Sequence, residues 1–338
     1  MSFRHLPKVQ LHLHLDCSLS YSAVSRIDPS ISRAEYADRF IPPPKCTDLA
    51  DVLTRAANSV RLMQTEDQLR LATQDLFDQL VEDNVIYAEL RFAPLLHTER
   101  GLAGEDVVRI VEEAVSECSA ATGLEARILL CTLRHFSEAQ SLETIKLAEN
   151  SGRGLVAGFD IASDEAGFPL DAHLAAFQYA RAQDIPCTAH AGEAMGPESV
   201  WETLERLQPG RIGHGVRSIE DQALVEHLRR KGIHLEVCPT SNVMTNSYAK
   251  LDAHPVDELY RAGLSLGINA DAYTLINTTL SQEYERLNRT FGWGEDHFRQ
   301  CNVNALGAAF IPQDIREELI TRLAREESLP SQPASCVD

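Results

Sequence analysis

Two histidines stand two residues apart in an apolar run near the start of the chain, at residues 9–16, which read VQLHLHLD. Because successive side chains of a β-strand point to opposite faces, His12 and His14 are predicted to share one face. Two imidazoles on one face of a buried strand are typical of a metal site. The chain holds twelve histidines and such a spacing also arises by chance, so the interpretation depends on what later segments supply.

Three further groups of the same kind, His190, His214 and Asp271, stand at the ends of later β-rich runs. The carboxyl ends of parallel strands in a barrel meet at one mouth. With the pair on the first strand, His190 and Asp271 then give three nitrogens and one carboxylate oxygen. This set suits zinc with one position open for water, and zinc lowers the pKa of that water so that hydroxide forms at neutral pH.

An acid and a base are available beside this set. His214 is not needed as a ligand, and we expect it to orient the water and take its proton. Glu193 follows His190 in the sequence HAGE, and the glycine lets the chain turn sharply enough for the carboxyl to return to the mouth. A carboxyl there can protonate a ring nitrogen of a bound heterocycle while hydroxide attacks the adjacent carbon.

Short β-rich runs alternate with longer helical ones along the chain. Strands are predicted from about residue 9 and at residues 85–93, 126–132, 155–161, 185–190, 211–214, 233–238 and 264–270. Eight strand–helix units in succession predict an α/β fold, a (β/α)8 TIM barrel. The stretch 17–84 is predicted to be a helical insertion between strands one and two, helical over residues 47–62. One barrel domain is expected over residues 1–327, with a disordered tail at 328–338.

Other polar residues receive ordinary interpretations. Asp160 and Asp164, near the fourth strand, are interpreted as loop caps. Six more histidines are interpreted as satisfied core residues, namely His135, His173, His227, His234, His254 and His297.

Composition limits the classes of partner. The formal net charge of −19 repels phosphate backbones and anionic lipid, so nucleic acid and membrane surfaces are excluded as partners. The eight cysteines are scattered and form no Cys-x-x-Cys pair, which favours reduced thiols in a cytoplasmic protein. No signal-peptide pattern or run of transmembrane length is present. The oligomeric state is left open.

With these residues in place, the chain resembles the adenosine deaminase family of the amidohydrolase superfamily. The similar stretches cover residues 7–312 in family order and are residues 7–16, 87–94, 188–193 (TAHAGE), 211–215 (RIGHG), 238–242 (CPTSN) and 268–271 (INAD). The resemblance implies hydrolytic loss of the 6-amino group of adenosine or a related 6-aminopurine nucleoside, giving an inosine-type product and ammonia.

The resemblance also implies roles for single residues. One Zn²⁺ per chain is implied, with a ligand set that matches His12, His14, His190 and Asp271. Glu193 matches the acid that protonates the purine ring nitrogen, and His214 matches the residue that activates and orients the hydroxide. Asp16 matches an aspartate at the sugar end of the pocket.

Three positions depart from the family pattern. The residue after Asp271, usually acidic or an amide that hydrogen-bonds the purine, is Ala272, followed by Tyr273. An unpaired ring nitrogen there would cost about 1–3 kcal/mol unless water or Tyr273 replaces the partner. Cys17 stands where the family has glycine at the sugar end, and Ser163 stands where the strand-four loop often has glycine. These residues are therefore expected to contact substrate, and to alter which substrate is accepted.

Three alternatives stay open. The enzyme could deaminate a different amino-heterocycle, because Ala272 can neither donate nor accept a hydrogen bond. It could be a two-metal hydrolase, although the predicted fourth strand ends without the bridging lysine that such enzymes use. It could also bind a nucleoside without turning it over, although binding alone requires neither Glu193 nor His214.

Overall fold

The computed structural model describes residues 2–152, 154–327 and 329. The strands named here are β1 (Lys8–His14), β2 (Val85–Phe92), β3 (Glu125–Leu133), β4 (Val156–Ala162), β5 (Thr188–Ala191), β6 (Arg211–His214), β7 (His234–Val237) and β8 (Leu266–Ile268). The predicted tail 328–338 lies, apart from Leu329, outside the described residues.

All the strand pairings are parallel and follow chain order. They form two four-stranded sheets, β1-β2-β3-β4 and β5-β6-β7-β8. Isolated bridges join the two sheets at both seams, from Phe159 to Cys187 and from Leu13 to Asp271. The sheets thus close into one ring, and the predicted (β/α)8 barrel is confirmed.

Helical segments lie between successive strands and after β8. They are α1 (Tyr21–Ile27), α2 (Arg33–Arg39), α3 (Leu49–Leu53), α4 (Ala56–Arg61), α5 (Glu66–Glu82), α6 (Gly104–Thr122), α7 (Glu138–Asn150), α8 (Leu174–Ala182), α9 (Pro197–Arg206), α10 (Gln222–Lys231), α11 (Pro239–Met244), α12 (Val256–Arg261), α13 (Leu280–Phe291), α14 (Glu295–Ala308) and α15 (Gln313–Ala324). Short 3-10 turns lie at Leu15–Cys17, Pro94–His97, Asp171–His173, Val216–Glu220 and Leu251–Ala253.

The stretch between β1 and β2 holds α1 to α5, so the predicted insertion is helical. The segment 47–62, expected to be helical, is two short helices, α3 and α4. The fifth strand begins at Thr188 rather than at Ile185, because Pro186 has no N–H to donate to a neighbouring strand.

The outer helices bury one apolar stripe against the barrel. On α6, Val107, Val111 and Val115 are fully buried and pack in one cluster with Ala126 and Leu130 of β3. Each such side chain contributes about 1.5–3 kcal/mol to folding by leaving water. Among the described residues, no helix is both long and apolar enough to span a membrane.

Candidate active site

Four side chains with metal-binding groups converge at the carboxyl ends of the strands. His12 and His14 come from β1, His190 from β5 and Asp271 from the segment after β8. Nε2 of His14 lies 3.3 Å from Nε2 of His190, and Oδ1 of Asp271 lies 3.5 Å from Nε2 of both His12 and His14. The expected ligand set is therefore brought together at one point.

The histidine ring nitrogens are close together, and one lacks a hydrogen-bond partner, as expected of metal ligands. Nε2 of His12 is buried and has no hydrogen-bond partner, which is costly for a polar atom unless something binds it. One ring nitrogen from each of His12, His14 and His190 lies within 4.8 Å of the others. Imidazole nitrogens and a carboxylate oxygen are ligands that zinc accepts.

Backbone hydrogen bonds to β1 fix the position of Asp271, the carboxylate among the four expected ligands. The N–H of Asp271 donates to the carbonyl of His12 across 3.2 Å, and its carbonyl accepts from the N–H of His14 across 2.7 Å. Asp271 has a φ of 65°, a left-handed conformation that is uncommon outside glycine and clusters at functional sites. The segment after β8 is thereby pinned to β1, with the aspartate beside the two histidines.

Carboxylates behind the cluster orient two of its rings. Nδ1 of His12 lies 2.9 Å from Oε2 of Glu236, and Nδ1 of His190 lies 3.2 Å from Oδ1 of Asp160. An ionised carboxylate only accepts hydrogen bonds, so both Nδ1 atoms carry the proton. Each Nε2 then presents its lone pair to the cluster, as a metal ligand must.

A single arginine joins these two carboxylates. Arg91 donates from Nη1 to Asp160 across 2.7 Å and from Nη2 to Glu236 across 2.8 Å, and all three side chains are inaccessible to solvent. Burial raises the pKa of Asp160, but His190 and Arg91 outweigh it and hold that pKa below its usual value. Burial likewise opposes ionisation of Glu236, yet Arg91 and Arg211 keep its pKa well below normal. Both groups therefore remain carboxylates.

The expectation that Asp160 caps a loop is wrong, because Asp160 lies inside β4 and orients His190. Asp164 does accept the N–H of Gly167 in the following loop, as a cap should.

A relay of hydrogen bonds determines where His214 carries its proton. The N–H of Val256 donates to Nδ1 of His254, so Nε2 of His254 carries a proton and donates to Oδ1 of Asn242. This leaves Nδ2 of Asn242 to donate to Nδ1 of His214 across 3.1 Å. Burial and His12 lower the pKa of His214 well below normal, so the ring is neutral and its proton is on Nε2, facing the site.

Glu193 faces the same proton. Its Oε2 lies 3.5 Å from Nε2 of His214, and its Oε1 is buried without a hydrogen-bond partner. Burial, then Asp271 and Glu165, raise the pKa of Glu193 well above its ordinary value. A carboxyl kept protonated in this way can donate a hydrogen bond or a proton near neutral pH.

His14, His190, Asp271, Glu193 and His214 line one cleft, called the metal cleft below, whereas His12 is fully buried and does not line it. The other lining residues of the metal cleft include three on α3 and three after Asp271, and they are Cys17, Leu49, Val52, Leu53, Ala162, Ser163, Ser241, Thr245, Ala272, Leu275 and Ile276. An adjoining cleft shares His14, Cys17 and Ser163 and adds Asp16. A small polar molecule could thus span from the metal donors to Asp16.

Four of the five residues expected to contact substrate line these clefts. Asp16 accepts the N–H of Ala93, and burial raises its pKa to about 6. Cys17 and Ser163 border both clefts, and Ser163 has a φ of 85°. Ala272 belongs to the apolar wall of the metal cleft.

The position expected for Tyr273 is wrong. It lines neither cleft, because its hydroxyl accepts from Nε2 of Gln10 and donates to Oδ2 of Asp83, each across 3.2 Å. Tyr273 therefore cannot replace the missing partner at Ala272.

Comparison with known proteins gives a consistent result. The family defined as adenosine deaminase matches residues 7–326. The adenosine deaminase of Mycobacterium ulcerans (strain Agy99) is 35% identical over 348 residues, covering 96% of each chain. The crystal structure of adenine deaminase from Arthrobacter aurescens superposes with a TM-score of 0.87 at 25% identity, over 95% of this chain and 98% of that one.

An amidohydrolase from Burkholderia ambifaria, solved with bound zinc, has the same fold, with a TM-score of 0.87 at 23% identity over 96% of this chain and 91% of that one. The matches in sequence extend over nearly the whole chain and include the segments that carry the site. The chain belongs to the adenosine deaminase family and is a hydrolytic deaminase of adenosine-like purines.

Proposed function

We propose that this enzyme holds one zinc ion through His12, His14, His190 and Asp271, and that it removes the 6-amino group of adenosine or a closely related 6-aminopurine nucleoside. The observation that carries the proposal is the convergence of these four donors, three of which line one cleft together with Glu193 and His214. The zinc-bound relative from Burkholderia ambifaria supports the choice of metal.

Each residue has a defined task in this proposal. When bound, zinc lowers the pKa of a water molecule so that hydroxide is available near neutral pH. Nε2–H of His214, which faces the cleft, would orient an attacking oxygen toward the reacting carbon. Glu193 passes its proton to the adjacent ring nitrogen, which makes the carbon more electrophilic. Addition of water and departure of the 6-amino group as ammonia then give the 6-oxo product.

The apolar wall around Ala272 favours a second candidate substrate. Ala272 packs with Leu275 and Ile276 and presents only a methyl group to the cleft. A purine nitrogen against this wall would lack a protein partner, at a cost of about 1–3 kcal/mol. A different amino-heterocycle, or a purine with an apolar substituent at that edge, would avoid this cost.

The test is release by the zinc-loaded enzyme of ammonia, or of the corresponding amine from N6-substituted adenosines, from a panel of adenosine, 2′-deoxyadenosine, adenine, N6-substituted adenosines, 5′-modified adenosines and aminopterins. Fast release from adenosine supports the first candidate. Preference for 2′-deoxyadenosine or a 5′-modified adenosine also supports the first candidate. Preference for adenine, an N6-substituted adenosine or an aminopterin supports the second and makes Cys17 and Ala272 the specificity residues. No release from any member, with zinc bound, would reject the catalytic roles given to Glu193 and His214.

Among the residues that the structure describes, six of the eight cysteines, namely Cys17, Cys46, Cys131, Cys187, Cys238 and Cys301, form no disulfide, and five of these six are buried. Reduced, buried thiols are typical of proteins in the cytoplasm, and we propose that compartment for this enzyme.

A further inference from the structure

One carboxylate outside the metal cleft binds the whole turn that carries Glu193. Oε1 of Glu165 accepts the N–H of Gly192 across 2.7 Å. Oε2 accepts the next three N–H groups, those of Glu193, Ala194 and Met195, across 3.1, 2.7 and 3.0 Å. Four consecutive backbone donors on one side chain form an anion-binding nest, filled here by the protein's own carboxylate.

A side-chain hydroxyl completes the arrangement. Oγ of Ser199, in the first turn of α9, also donates to Oε1 of Glu165. Glu165 itself is 6% exposed, so these bonds form where water competes little and are stronger for it. The carboxylate thus ties together the end of β5, the turn after it and the start of α9.

The shape of this turn depends on Gly192 and on an acceptor for the backbone amides that follow it. Gly192 has a φ of 67°, and a Cβ at this position would lie 2.5 Å from Cγ2 of Val200. Residues 193–195 belong to neither a helix nor a strand, so their amides have no ladder to join. Glu165 supplies the acceptor that these amides otherwise lack.

We propose that Glu165 is the positioning residue for Glu193: by binding the amides of residues 192–195 it holds the carboxyl of Glu193 against His214 and the metal cleft. Glu165 does not touch the cleft, since its oxygens are directed to the backbone of the turn. Because it lies two residues after Ser163, it also links the loop after β4, which borders both clefts, to the loop after β5. The inference rests on the role of Glu193 proposed above.

The decisive variant is Glu165→Gln, which keeps the size of the side chain. Its amide has one acceptor oxygen and an NH₂ group that would face backbone N–H donors, so the turn must shift. Misplacement of a reacting group by about 1 Å lowers kcat by about 100-fold. We expect a loss of that order in kcat, with zinc content retained and KM changed by less than about threefold, and a lower melting temperature because buried hydrogen bonds are lost.

The matched control is Glu112→Gln. Oε1 of Glu112 accepts the N–H of Val156 at the opposite end of β4, so this variant also replaces a carboxylate that binds backbone. It should leave kcat and KM unchanged.

A double-mutant cycle separates positioning from a general structural role. If Glu165 acts through Glu193, the change Glu165→Gln should cost less than about threefold in a Glu193→Gln background, because residues acting as one unit are not additive. An equal loss in both backgrounds would overturn the inference, as would wild-type kcat in Glu165→Gln alone.

Two results keep this inference distinct from the proposed function. Full activity of Glu193→Gln would reject the role of Glu193 itself, whereas an inactive Glu193→Gln beside a fully active Glu165→Gln would reject only the positioning role. If Glu165→Gln does not fold, Glu165→Asp keeps the charge but is one methylene shorter and reaches fewer of the amides. It should lose kcat at unchanged zinc content, and a kcat equal to wild type would contradict the proposal.

Discussion

Nδ2 of Asn242 donates a hydrogen bond to Nδ1 of His214 across 3.1 Å. His254 determines the direction of this bond. Its Nδ1 accepts from the N–H of Val256, so its Nε2 donates to Oδ1 of Asn242, which leaves Nδ2 of Asn242 to donate to His214. The neutral ring of His214 therefore presents Nε2–H to the metal cleft. Of the two tasks expected for His214, orienting the attacking oxygen fits this protonation, whereas accepting a proton at Nε2 does not.

The first prediction concerns Asn242→Leu, which removes both polar atoms of the relay at similar volume. His214 then loses the donor that fixes its tautomer, and we expect kcat to fall by about 100-fold, the range of one oriented acid–base group. The variant should also unfold more easily by about 1–3 kcal/mol, because His254 loses its partner. Zinc content is the internal control and should not change. Unaltered kcat, with mixed His214 tautomers in ¹⁵N spectra, would show that the tautomer does not matter.

The second prediction concerns Asp160→Asn. An amide can no longer accept from both His190 and Arg91 without turning its NH₂ group toward one of them. We expect zinc affinity to fall by about 10–100-fold, the usual effect of removing a group that orients a ligand. Competition with a chelator measures this directly. Asp164→Asn, which changes a nearby carboxylate that binds only the following loop, should bind zinc as wild type does, and equal affinity in both variants would contradict the assignment.

The fold could be predicted because its signal is repeated. Each fully buried parallel strand is a short apolar run, and each is followed by a longer helical pattern, so errors of a few residues at the ends do not change the topology. The barrel topology also allowed the positions of His12, His190, His214 and Asp271 to be predicted, because the carboxyl ends of its strands meet at one mouth.

The features that could not be predicted depend on the direction in which a side chain points rather than on the position of its residue in the fold. In a strand buried on both faces, no alternation of polar residues shows which way Asp160 points, so its contact with His190 was hidden. The positive φ of Asp271 redirects the chain and sends Tyr273 toward Asp83 instead of into the cleft. The relay from His254 likewise requires a contact between α11 and the start of α12 that only the folded chain makes.

The third prediction follows from the backbone of Ser163. Its φ of 85° is a conformation that costs a residue with a side chain of order 1 kcal/mol or more, and its hydroxyl makes only an exposed contact with His135. Ser163→Gly should therefore raise the free energy of unfolding by about 0.5–1 kcal/mol, after the larger unfolded-state entropy of glycine is subtracted. Urea denaturation measures the change. Ser151→Gly, at a φ of −68°, gains no such relief and should be destabilising; stabilisation of both variants would point to another cause.

The fourth prediction concerns acid sensitivity and His234, a histidine outside the proposed ligand set. Burial and Arg211 lower the pKa of His234 from 6.5 to about 3, so the folded protein holds this ring neutral while the unfolded chain protonates it below about pH 6.5. A folded-state pKa below the unfolded one gives stability that is complete above pH 6.5 and is lost as the pH falls toward 3. In His234→Gln the unfolded chain no longer takes up this extra proton. The slope of the unfolding free energy against pH between pH 6 and 4 should therefore fall by about 1.4 kcal/mol per pH unit. Urea titrations of both proteins across that range measure the difference, and since zinc loss at low pH affects both alike, identical slopes would mean that His234 is not held neutral in the fold.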